Sequence, residues 1–97
     1  MSTGDGQTRY ALTPKAQLVT DRTRGQRVLL YPERGLVLNA AAETIIEACV
    51  RGTTLAALLD ALQARFPEAE RTKLEDDTLR FLTELKERGL VREHTRD

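Results

Sequence analysis

Tryptophan is absent from this 97-residue chain, and cysteine, histidine and methionine occur once each. A single cysteine, Cys49, excludes an internal disulfide framework and fits a reducing compartment. It falls on an apolar helix face, as a small core residue does. The one histidine, His94, sits in a charged run, Arg92-Glu93-His94-Thr95-Arg96-Asp97, that is expected to fray. Zinc-ligand spacing and glycine-rich phosphate loops are both missing. Asp76 and Asp77 are adjacent on a helix and so point about 100° apart, which is poor geometry for a two-carboxylate pair. No acid, base, nucleophile or metal set assembles, so the chain is expected to be no enzyme and to need no cofactor.

Other absences narrow the class further. Aromatic residues make up 4% of the chain, which leaves an aliphatic core and few platforms for stacking single-stranded nucleic acid. Apolar runs fall short of the ~20 residues of a membrane span. The Met1–Gln7 stretch lacks the apolar centre of a signal peptide, so a soluble cytoplasmic protein is expected. Formal charge cancels at 15 basic against 15 acidic residues. The distribution is uneven: between Arg9 and Arg34, the six bases Arg9, Lys15, Arg22, Arg24, Arg27 and Arg34 face only Asp21 and Glu33. Acids lead from Glu68 to Arg88, which reads either as solvated faces of opposite bias or as a hairpin end suited to an acidic partner.

What is present reads as strands followed by helices. Residues 1–10 are expected to form a disordered tail, 11–91 a single domain and 92–97 a C-terminal tail. Gln17 to Thr20 suits a first strand, Asp21 to Gly25 a turn, and Arg27 to Tyr31 a second strand. Pro32-Glu33-Arg34-Gly35 suits a turn, with Pro32 presetting it and Gly35 fit for a bulge or left-handed position, before a third strand at Leu36–Leu38. Asn39 is a good cap for a helix over Ala40 to Val50. Thr53 or Thr54 caps a second helix, whose Leu55, Leu58, Leu59, Leu62 and Phe66 recur at helical spacing until Pro67. A third runs from about Glu68 to Gly89, with the stripe Leu74, Thr78, Phe81, Leu82 and Leu85. The expected fold is α+β: a three-stranded antiparallel sheet followed by a three-helix bundle, resembling a winged helix-turn-helix.

A helix-turn-helix could serve DNA binding. The second helix, however, offers only Arg65 against Asp60 and the third is net negative, so nucleic acid is not expected. The third strand matters more. Placed last in a small meander, it leaves one edge unpaired, and such an edge captures an extended peptide or a second copy of itself. A monomer or weak homodimer follows. Leu79 lies off the third helix's stripe, either packed on a neighbour or lining a groove beside the sheet.

These features form an ordered series: Leu18, Asp21-Arg22, Arg24-Gly25, Val28-Leu29-Leu30-x-Pro32-Glu33-Arg34, Leu38-Asn39, Ile46-Glu47-x-Cys49, Thr54-Leu55-x-x-Leu58, and Leu85-x-x-x-Gly89-Leu90-Val91. The series, from about Leu12 to Val91, resembles the PqqD family, small peptide chaperones of pyrroloquinoline quinone biosynthesis. Val50-Arg51-Gly52 departs from it, since members often carry Asp-Gly straight after the cysteine position. The resemblance implies a RiPP recognition element, which binds the leader of a ribosomally made precursor peptide (PqqA-like). The leader adds as a strand on the third strand's edge, against the third helix, for presentation to a radical SAM enzyme (PqqE-like). Leader recognition in another peptide-modification pathway is the alternative. On this chain the implied edge is Arg34, Gly35, Leu36, Val37 and Leu38, and the implied walls are Asp77, Leu79, Arg80, Phe81 and Glu84. Leu79 and the set Asp77/Arg80/Glu84 flank the stripe on opposite sides, and the sequence leaves open which side faces the sheet.

Overall fold

A computed structural model describes residues 8–31 and 34–95. In chain order the elements are β1 (Thr8–Leu12), β2 (Gln17–Asp21), β3 (Gln26–Tyr31), β4 (Arg34–Val37), α1 (Ala40–Arg51), β5 (Thr53–Thr54), α2 (Leu55–Arg65), α3 (Arg71–Glu87) and β6 (Val91–Thr95). They build two antiparallel sheets, ordered β2-β3-β4 and β5-β1-β6, beside three helices. The α+β class, the 17–37 meander and the three helices are as the sequence predicts.

The meander's register puts Leu18, Leu29 and Leu36 in one row and Val19, Val28 and Val37 in the next. Successive side chains of a strand alternate faces, so the two rows point opposite ways. Leu29 is fully buried, with Leu18 and Leu36 packed on the core, while Val37 and Leu30 stand exposed on the outer face. Ile46 and Cys49 from α1, Leu58 and Leu62 from α2, and Leu82 and Leu85 from α3 complete the buried cluster.

The helix ends follow their capping chemistry. Asn39 Oδ1 accepts from the Ala42 N–H at 2.8 Å, and Thr54 Oγ1 from the Ala57 N–H at 3.2 Å. Gly89 takes φ +75°, with its N–H donating to the Lys86 carbonyl and the Leu90 N–H to that of Leu85, a Schellman closure of α3. α3 starts at Arg71 rather than near Glu68. Gln63 Nε2 donates to the carbonyls of Phe66 and Ala69, holding the intervening segment as a loop.

Three expectations are corrected. Residues 8–10 and 92–95, expected as tails, are strands: Thr8 pairs with Thr95 and Leu12 with Val91, which buries Tyr10 and Val91. His94 therefore sits in a ladder opposite Arg9 rather than in a frayed end. The third strand begins at Arg34, two residues earlier than expected, because Tyr31 pairs with Arg34 and Leu30 with Gly35. Gly35 is neither bulged nor left-handed; among the described residues the positive-φ glycines are Gly25, Gly52 and Gly89. The expectations for residues 1–7, for the turn-setting role of Pro32 and Glu33, and for the last two residues fall outside the described residues.

Candidate functional site

Among the described residues β4 is the edge of its sheet, paired on one side only with β3. The Leu38 N–H donates to the Arg27 carbonyl at 3.1 Å, which sets the phase of the ladder. In an antiparallel pair, residues that exchange hydrogen bonds alternate with residues that do not. Counting back, Leu36 bonds toward Leu29, whereas Gly35 and Val37 turn their N–H and C=O to the open side. A Cβ at Gly35 would come within 3.3 Å of Leu30 Cδ2 and 3.4 Å of Val28 Cγ1. The missing side chain thus leaves main chain bare at the middle of the edge.

Just past β4 a groove of about 310 Å³ opens between the start of α1 and the middle of α3. Asn39, Ala41, Ala42 and Ile45 line it from α1's side, and Leu74, Asp77, Thr78 and Phe81 from α3. Of the α3 stripe, Thr78, Leu82 and Leu85 are buried, while Leu74 and Phe81 are only half-buried, being the two large side chains that reach this groove. Asp77 at its rim is flanked by Lys73 at 3.6 Å and Arg80 at 3.8 Å, all three exposed. At the other end of α3, Arg88 Nη1 donates to the Tyr31 hydroxyl at 3.3 Å, tying the helix to the tip of β3.

The structure thus brings the Asp77/Phe81 flank of α3 to the groove. Leu79, 37% exposed, neither lines the groove nor packs on the core. Arg80 and Glu84 are exposed on the Asp77 side. The sequence did not single out Leu74 as a groove residue or Asn39, Ala41 and Ala42 as its facing wall. The signal available was Asn39 itself, a cap that forces α1 to begin where β4 ends.

Among the described residues no group of three or more His, Cys, Asp and Glu could hold a metal ion. Burial pushes the Cys49 thiol up to about 12, so the thiolate needed for nucleophilic attack is scarce at neutral pH. No helix of the described residues is long and apolar enough to cross a membrane.

Comparison with known proteins agrees with this picture. The family model described as "Coenzyme PQQ synthesis protein D (PqqD)" matches residues 26–91. A protein of Rhodopseudomonas palustris strain TIE-1 named "PqqA binding protein" is 34% identical over 85 residues, covering 88% of this chain and 82% of the relative. One of the same name from Azotobacter vinelandii is 39% identical over 67 residues, covering 69% and 71%. Among solved structures, the solution structure of the PqqD truncation of Methylobacterium extorquens PqqCD superposes with a TM-score of 0.69 at 24% identity, covering 87% of this chain and 88% of that one. That protein is described as a functional, stand-alone RiPP recognition element.

Proposed function

This chain belongs to the PqqD family, and from that premise we propose that it is a non-catalytic peptide chaperone of pyrroloquinoline quinone biosynthesis. It captures the leader of a PqqA-like precursor peptide by strand addition and presents it to a PqqE-like radical SAM enzyme. The observation that carries this reading is the outward-turned main chain of Gly35 and Val37 beside the groove that Phe81 lines. An antiparallel guest strand would pair its main chain with Gly35 and Val37, and its residue opposite Leu36 would point inward with the Leu36 side chain. Affinity then comes from main-chain bonds that any sequence supplies, and selectivity from what fits between Leu74, Phe81 and the start of α1. Arg34 and Leu38 bound the edge, and Asp77, Arg80 and Glu84 form a charged margin on the α3 side.

The work done for the enzyme is ordering. A flexible leader loses conformational freedom when it binds, and a chaperone that has already fixed it in extended form spares the enzyme that cost. The test is a titration of the isotopically labelled protein with a PqqA-type precursor, followed by turnover with the radical enzyme. Amide shifts at Gly35 to Leu38, weakened binding by Phe81→Ala, and product yield that depends on this protein are expected. Shifts confined to α2, or yield unchanged in its absence, would defeat the reading.

A further inference from the structure

The same sheet has a second open edge. Among the described residues β2 has a single neighbour, β3. Since Leu29 bonds toward Leu36, Val28 and Leu30 bond toward Val19 and Gln17, and Leu18 and Thr20 turn their N–H and C=O outward. Beside this edge lies a groove of about 540 Å³, lined by Leu12, Pro14, Ala16, Leu18 and Arg27, with Val50 of α1. Val50 is 55% exposed, unusual for an aliphatic side chain in so small a domain. Arg27 holds Glu47 at 3.1 Å through Nη1, yet its Nε–H is buried and has no acceptor among the described residues. A buried donor left unpaired is costly.

Basic side chains outnumber acidic ones at the β2–β3 turn, Arg22 and Arg24 against Asp21. Both arginines are exposed and make no ion pair among the described residues. The nearby acids are engaged: Asp21 Oδ1 accepts from the Thr23 and Arg24 N–H groups, and Glu43 and Glu47 pair with Arg27.

We propose that the β2 edge is a second strand-docking site, for an extended acidic segment of another protein with apolar residues at alternate positions. Guest residues opposite Leu18 and Thr20 share the inner face and so enter the groove, which selects apolar side chains there. The basic margin selects acids at the remaining positions. A second copy of this chain fits poorly in the register centred on Val19. Antiparallel pairing of two β2 strands about Val19 would set Arg22 and Arg24 of one copy alongside Lys15 of the other, and like charges so placed repel. The site is independent of leader capture on β4, and the two are read by separate residues.

The experiment titrates the labelled full chain with a capped five-residue peptide alternating glutamate and valine, and with its lysine–valine counterpart. Expected are amide shifts at Leu18, Thr20 and Val50 with the glutamate peptide, weaker binding of the lysine peptide, and a loss of about fivefold or more in Val50→Glu, which puts a charge on the groove's wall without touching the core. Equal binding of both peptides, no binding, or shifts confined to Gly35–Leu38 would overturn the proposal. So would concentration-dependent broadening of Leu18 and Thr20 without peptide, which would assign the edge to a second copy.

Discussion

The two edges of the β2-β3-β4 sheet offer the same main-chain chemistry in different surroundings. At β4, Gly35 leaves the backbone bare and the neighbouring groove meets the Asp77/Phe81 flank of α3. At β2 the wall is Val50, the floor carries the under-satisfied Arg27, and the margin is basic. Hydrogen bonding to an extended strand does not distinguish the edges, because every peptide offers the same donors and acceptors. The difference teaches that guest choice rests on the helix beside each edge, α3 in one case and the end of α1 in the other.

The largest expected effect comes from breaking one edge and sparing the other. Val37→Pro removes an outward N–H and leaves the Leu29–Leu36 bonds in place. Leader affinity should fall by about tenfold or more, as a lost bond plus local strain predicts. Thr20→Pro, which deletes the matching donor on β2, should change it by less than about twofold. Calorimetric titration checks both, and equal losses in the two variants would show that they act by disturbing the whole sheet.

Salt sharpens the comparison with a smaller effect. Asp77 is already flanked by Lys73 and Arg80, whereas Arg22 and Arg24 face solvent unpaired. Exposed charges are screened beyond about 8 Å at physiological ionic strength. Raising salt should therefore weaken an acidic guest on β2 more than a leader on β4. Parallel salt titrations that give equal slopes would remove charge as a basis for telling the edges apart.

The smallest effect lies outside both edges. The Lys86 ammonium donates to the Glu93 carboxylate, joining α3 to β6, and this hydrogen bond together with the carboxylate's charge raises the lysine's pKa above its usual 10.5. A raised folded-state value means the contribution is fully present below the unfolded lysine's pKa and is lost as pH climbs through the folded one. A slight fall in melting temperature above pH 10.5 is expected, smaller in Lys86→Met, with leader affinity at neutral pH unchanged.

Much of the fold was legible because its signals are local. Asn39, Thr54 and Gly89 announce helix ends through side-chain size and backbone freedom, and the leucines of α2 mark its buried face. The β5-β1-β6 sheet was not legible: its central pairing joins Thr8 to Thr95, and its outer strands are two residues long or carry Arg92, Glu93 and His94. Nothing local marks such strands, since their stability depends on a partner far away in the sequence. For the β4 edge, the sequence named the strand and the helix but not the flank. That choice depends on how α3 packs against α2 and β6, which rotates Asp77 and Phe81 toward α1 and leaves Leu79 aside. The β2 groove was hidden more deeply, because β1, the following loop, β2, β3 and α1 all contribute to it.

The Thr8–Thr95 pairing has a further consequence. Hydrogen-bonded strands lie about 5 Å apart, so the two ends of the described chain are neighbours, on a sheet distinct from the one with the open edges. A unit whose entrance and exit coincide behaves as a cassette: it can be carried at either end of a larger polypeptide, or looped into one, without stretching its frame.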